Sequence, residues 1–125
     1  MNSELYINAT PSEVVIALLH DKRLIELNRE RSDQGFSVGD IFLGRVKKIM
    51  PGLNAAFIDV GHEKDAFLHY LDLGPQIESL VKFTNAAHNG SLSTHMLEGF
   101  KNEPDIVKTG KINRVVSNNQ NILVQ

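Results

Sequence analysis

Phe57, Phe67 and His69 are the residues of this sequence best suited to meeting a planar ligand, and Arg45, Lys47, Lys48 and Lys64 lie close to them along the chain. Alternate residues of a strand share a face. Ala55, Phe57 and Asp59 therefore fall opposite Ala56, Ile58 and Val60, and Asp65, Phe67 and His69 fall opposite Ala66 and Leu68. Two rings and a histidine take the more polar side. They read either as an ordinary cross-strand pair on a sheet buried on both faces, or as a stacking platform, since every base offers a π-face to a flat ring. Arg45 and Lys47 leave their strand opposite Val46, whereas the side taken by Lys48 depends on a bulge. A basic run standing alone is a solvated face. Beside outward rings it is the composition with which single-strand binders give each phosphate a cation and each base a ring.

Other chemistries find less support. Asp59, His62, Asp65 and His69 are near one another in sequence but lack a His-x-x-x-His or His-x-His spacing, and Asp59 and Asp65 read as turn-flanking residues, so no metal site is assigned. Neither a Gly-x-Ser-x-Gly elbow nor a glycine-rich phosphate loop occurs, and no catalytic residue is assigned. His88 and His95 lie in a polar stretch and read as solvent-exposed.

The elements that must position these side chains are short strands. Five of the nine glycines, at 39, 44, 52, 61 and 74, punctuate residues 38–74, which predicts strands at Ile41–Ile49, Ala55–Val60 and Ala66–His69. In the first of these the apolar parity shifts between Leu43, Val46 and Ile49, so the strand must bulge, and Gly44 is where a bulge is cheapest. A long, bent first strand is what a small closed barrel requires. The expected core is Ile41, Val46, Ile49, Ile58, Val60 and Leu68. Pro51-Gly52 and Gly61-His62-Glu63-Lys64 read as turns, and Tyr70–Gly74 as a helical turn with a glycine stop.

Upstream, Leu5–Ala9, Val14–Leu19 and Leu24–Leu27 read as a three-stranded antiparallel meander turning at His20-Asp21-Lys22, one apolar face of which lacks an evident cover. Arg29–Gly35 reads as a linker. Residues 75–110 read as a long excursion without clear secondary structure, anchored by Phe83 and Phe100. Lys111–Val116 reads as a short helix, and Ile122–Gln125 as the beginning of a strand in which the chain stops, as expected of a fragment.

The 125 residues suit one compact core, and a net charge of −2 provides no global field toward nucleic acid or anionic lipid. Any such binding must be local. The absence of cysteine excludes disulfides, thiolate metal sites and thiol nucleophiles. Without a signal peptide pattern or a long apolar run, the sequence reads as cytoplasmic with no membrane partner.

The stretch VGDIFLGRVKKIMPGLNAAFIDVGHEKDAFLHYLDL resembles the S1 RNA-binding domain as it occurs in the ribonuclease E/G family. Gly39, Ile41, Gly44, Val46 and Ile49 match the general barrel signature. Residues 51–61 and 67–69 match the narrower Pro-Gly-Leu-Asn-Ala-Ala-Phe-Ile-Asp-Val-Gly and Phe-Leu-His motifs. The leading Leu-Tyr-Ile-Asn-Ala-Thr-Pro is similar to the family's N-terminus, so the likeness covers the chain apart from 75–110. The resemblance implies a magnesium-dependent endoribonuclease that cuts single-stranded RNA, often with a preference for a 5′-monophosphate end. In that scheme the barrel clamps substrate, with Phe57, Phe67 and His69 on the RNA face, and catalysis belongs to carboxylates of a later nuclease domain. The initial strands become part of a ribonuclease-H-like subdomain interrupted by the barrel, whose closing strand and a further basic residue fall after Gln125.

The reading is therefore mainly all-β: residues 1–34 a meander, residues 35–125 an S1-type OB-fold barrel lacking its final strand. The expected function is single-stranded RNA binding as the substrate-clamping region of a ribonuclease E/G-type endoribonuclease. This stretch is expected to hold no cofactor and to cleave nothing alone, with Mg2+ reserved for the full-length enzyme. Partners are RNA, the remainder of the parent chain and, in the full-length enzyme, further copies of itself. The alternatives are a free-standing OB-fold module associated with translation or the ribosome, and a protein-interaction barrel that docks its partner on Phe57 and Phe67.

Overall fold

The computed structural model describes residues 2–32, 35–92 and 97–125. It is mainly β and divides into two compact units, Met1–Asp40 and Ile41–Gln125.

The first unit is an antiparallel sheet in the order β1 (Ser3–Ala9), β2 (Glu13–His20), β3 (Arg23–Arg31). The Val-Val-Ile-Ala-Leu-Leu run makes β2 a natural central strand. Thr10 makes the first turn: its hydroxyl accepts from the Glu13 N–H at 3.1 Å while its own N–H donates to the Glu13 carbonyl at 2.8 Å. The second turn is the two-residue kind whose twist matches its strands, with Asp21 and Lys22 both left-handed (φ 45° and 67°). Asp21 is suited to that region, and its carboxylate accepts from the Asn2 N–H at 3.0 Å. Arg29–Arg31, expected in a linker, instead extend β3 because Glu13, Val14 and Val15 offer them ladder partners. Asp33 and Gln34 of that linker lie outside the described residues.

The register sorts this sheet into two apolar faces. Leu5 with Leu18, Ile7 with Ile16 and Ala9 with Val14 line one; Tyr6, Ala17 and Leu27, with Leu19 and Leu24, line the other. Leu5, Ile7, Leu24 and Leu27 are all exposed.

The second unit is an OB-like half-barrel: an antiparallel sheet ordered β6 (Ala66–His69), β5 (Ala55–Asp59), β4 (Phe42–Met50), β7 (Asn121–Val124), with helices α1 (Ile77–His88) and α2 (Ile112–Val115). The expected strands are present, but the bulge is not at Gly44. It falls between Val46, opposite Ile58, and Lys48, opposite Phe57, leaving Lys47 as the extra residue. Gly44 serves close approach instead, since a Cβ there would lie 2.5 Å from Ile58 Cγ2 and 3.3 Å from the Asp59 carbonyl oxygen. Ile41, expected in the core, precedes β4 and is 68% exposed.

Pro51–Leu53 form a 3-10 turn that ends on left-handed Asn54. The Asn54 side chain then ties distant segments together, donating to the Gly110 carbonyl at 3.2 Å and accepting from the Ile112 N–H at 2.7 Å. Tyr70–Asp72 form the second 3-10 turn, closed by extended Leu73 rather than by a left-handed glycine at 74.

The largest departure lies in residues 75–110, where α1 takes up twelve residues. Ile77, Val81 and Thr84 recur at helical spacing on its core side, and the Thr84 hydroxyl donates to the Leu80 carbonyl at 2.7 Å. Phe83 and Phe100 do meet, edge to face at 5.9 Å. The core joins Val46, Ala56, Ile58, Tyr70, Ile77, Ile112, Val116 and Ile122, with Ile49, Val60 and Leu68 packed against it. No helix among the described residues is long and apolar enough to cross a membrane.

Gly44→Ala forces its methyl group against Ile58, whose β-branched side chain has little rotamer freedom in a packed strand. The expected loss is about 1–3 kcal/mol, typical of overpacking, read as a lower urea midpoint. An unchanged midpoint shows that the β4–β5 approach is not tight.

Candidate nucleic-acid interface

The bulge at Lys47 decides which side chains share the outer face of the half-barrel. Before it, Val46 points into the core; after it, Ile49 does so too, and Lys48 turns outward. Cross-strand partners share a face. The ladder therefore places Lys48, Phe57 and Phe67 in one row across β4, β5 and β6. One row on, Met50, Ala55 and His69 align. In the other direction Asp59 lies opposite Arg45, which lies opposite Asn121 of β7.

The two phenylalanines meet edge to face, with centroids 5.7 Å apart and planes at 65°. That geometry is a favourable aromatic contact. It does not close the surface: Phe57 is half-buried and Phe67 is 54% exposed. His69 is half-buried and serves the turn after β6. Its Nδ1 accepts from the Leu71 N–H at 3.1 Å while the His69 backbone N–H donates to the Asp72 carboxylate at 3.0 Å, a reciprocal cap. An Nδ1 used in this way leaves the ring proton on Nε2.

The four cations divide. Arg45, Lys48 and Lys64 are exposed and form no ion pair among the described residues. Lys47 is committed: its ammonium lies 3.0 and 3.3 Å from the two carboxylate oxygens of Asp65. The hydrogen bond to Asp65, reinforced by that carboxylate's charge and less by Asp59, holds the Lys47 ammonium above the usual lysine range.

The acidic residues near the rings are used locally. Asp59 accepts from the Gly61 N–H at 2.9 Å, as a turn-flanking residue should. Asp65, also read from sequence as turn-flanking, instead bridges to Lys47, and the residue pattern alone held no signal for that pair because it depends on the bulge. His62 packs edge to face on Phe42 at 5.7 Å. Among the described residues no three His, Asp or Glu side chains gather as a metal-holding set. His88 is exposed, and His95 lies outside the described residues. Asn121 is the outer-face residue that sequence reasoning passed over, because its neighbour Arg45 is distant in sequence and adjacent only through the β4–β7 ladder.

An OB-like antiparallel half-barrel with an in-register row of one lysine and two phenylalanines defines the class of scaffold. No family model matches the chain. It is similar to "Ribonuclease G" of Haemophilus influenzae, 34% identical over 122 residues, covering 98% of this chain and 21% of that protein. It is also similar to "Ribonuclease G" of Escherichia coli K12, 44% identical over 81 residues, covering 65% of this chain and 17% of that protein. "Ribonuclease E" of Synechocystis matches at 39% identity over 71 residues, covering 52% of this chain and 10% of that protein. The chain belongs to the ribonuclease E/G family and spans about a fifth of the length of the ribonuclease G relatives it matches.

His69→Ala removes one acceptor from the turn cap and leaves the Leu71 N–H without its partner. A stability loss of about 1 kcal/mol is expected, in the range for helix-cap deletions, and thermal unfolding measures it. No change in melting temperature shows the cap to be dispensable.

Proposed function

We propose that this chain binds single-stranded RNA as the substrate-clamping S1 region of a ribonuclease E/G-type endoribonuclease, acting in cytoplasmic RNA processing and decay. The observation that carries this reading is the row Lys48–Phe57–Phe67, in which a cation without an ion pair among the described residues stands in register beside two accessible rings. Stacking supplies affinity without reading base edges, so sequence preference is modest. Arg45 and Lys64 extend the positive rim, and His69 lies one row on from the rings. Lys47 enters through Asp65, as argued below. The names of the relatives support the ribonuclease context.

In this reading cleavage is not a property of the stretch itself. The local carboxylates are engaged by Gly61, Lys47 and His69, which does not suit them to hold magnesium, and no step is assigned to that ion. Mg2+ would belong with the nuclease domain of the whole enzyme. Residues 1–34 are proposed to be part of a discontinuous ribonuclease-H-like subdomain, with the exposed apolar faces of β1–β3 covered by the remainder of the parent chain. Homo-oligomerisation, if the whole enzyme has it, is a property of that larger assembly.

The test separates stacking from charge. Phe57→Ala and Phe67→Ala should each weaken binding to a fluorescent oligouridylate by about 1–3 kcal/mol with little change in salt dependence, since no phosphate contact is lost. Lys48→Met should instead lower the slope of log affinity against log salt by about 0.7. Anisotropy titrations at several salt concentrations, with a melting curve for each variant, provide both readouts. If Phe57→Ala unfolds the chain while affinity per folded molecule is unchanged, the ring is core and the interface is wrongly placed.

A further inference from the structure

The outer face carries an ion pair that the RNA-binding reading does not use. Asp59 ends β5 and Asp65 immediately precedes β6, and both carboxylates bear on Lys47 of β4. Like charges so placed repel. Lys47, freed from the ladder by the bulge, reaches Asp65 with both carboxylate oxygens within 3.3 Å and lies close enough to Asp59 to feel its charge. Lys48, one residue on, forms no ion pair among the described residues. Two consecutive exposed lysines of β4 are thus inequivalent.

We infer that Asp65 is a specificity-setting residue of the RNA face: it occupies Lys47 in place of a phosphate, so that the ribose-phosphate chain runs along β4 past Lys48 and Arg45 rather than over β6. This rests on the RNA-binding reading above and adds to it which cations meet phosphate. The carboxylate imitates the phosphate that a strand on the β6 side would bring. It holds Lys47 through two oxygens at once, and a phosphate taking its place would add its charge to those of Asp65 and Asp59, both of which act on Lys47. Displacement is therefore disfavoured twice, by the lost ion pair and by the repulsion it uncovers. A phosphate beside Lys48 meets neither obstacle.

The test uses the 125-residue chain, a 5′-labelled oligouridylate and a double-mutant cycle over Lys47 and Asp65. Lys47→Met alone bares Asp65 and should weaken binding, whereas the double variant should keep the parent's salt slope, because a paired lysine contacts no phosphate. Asp65→Asn, which keeps shape and removes charge, should release Lys47. Affinity then rises, and the slope steepens by about 0.7, so the variant loses about 2.6-fold more affinity between 50 and 200 mM salt than the parent. In the double variant that gain should vanish.

Three results overturn the proposal. They are a double variant with a lower slope than the parent's, Asp65→Asn binding more weakly than the parent, and a double variant that binds as tightly as Asp65→Asn, which would make the gain a general field effect. Lys48→Met and Phe57→Ala run in parallel tell this failure from a wider one. If they weaken binding while the cycle fails, the RNA face stands and the role of Asp65 falls. If they change nothing, the interface itself is wrong and the assignment of Asp65 falls with it.

Discussion

The outer face of the half-barrel depends on one extra residue in β4. A regular strand alternates sides, and Val46 and Ile49 are three positions apart, so both can enter the core only if the alternation slips once between them. Placing the slip at Lys47 leaves Lys48 opposite Phe57 and lets Lys47 reach Asp65. Without it, either Ile49 would face solvent or Lys48 would be driven beneath the sheet. Burying an unpaired ammonium costs far more than leaving a ladder position unpaired. The apolar requirement of the core thus fixes the slip, and the arrangement of charge outside follows from it.

Much of this was legible in the residues, and the failures have particular causes. The parity of Leu43, Val46 and Ile49 requires a bulge without placing it, because in sequence a glycine kept for conformational freedom looks the same as one kept for its missing side chain. At position 44 glycine is needed for its missing side chain, which admits Ile58. Ile41 continued the apolar pattern of β4 in sequence yet lies outside the ladder, so nothing covers it. Helix α1 escaped notice because its core stripe is thin: Ile77 and Val81 are continued by Thr84, a polar residue that becomes core material by returning its hydroxyl to the Leu80 carbonyl. The rows of the outer face were half readable. Period-2 alternation paired Phe57 with Phe67, whereas the partners of Lys48 and Asn121 depended on long-range register that no local pattern carries.

The first unit shows a different limit. Its strands and turns follow from β-branched residues and from Asp21 and Lys22 in the tight turn, so local sequence suffices to specify the meander. Both of its faces nonetheless carry leucine, isoleucine or tyrosine, and a three-stranded sheet has too little buried surface to account for that composition by itself. Sequence reasoning recognised one uncovered face; the register shows two. Apolar surface of this kind is what a sheet layer inside a larger domain presents to the layers above and below it.

Charge on the outer face is ordered by strand, and distance explains why the order matters. Neighbouring strands lie about 4.8 Å apart, so a phosphate above β4 stands roughly two spacings from a carboxylate at the β6 end of its row. That is comparable to the screening length of about 8 Å at physiological salt, and the repulsion would be felt if Asp65 were bare. Pairing with Lys47 offsets the charge of Asp65, and Arg45 stands opposite Asp59, leaving Lys48 to make the face locally positive in a chain whose net charge is −2. A weakly acidic protein can in this way carry a locally positive face. Its sign comes from where Lys48 is left without an ion pair among the described residues, and that is decided by the same bulge that seats Ile49 in the core.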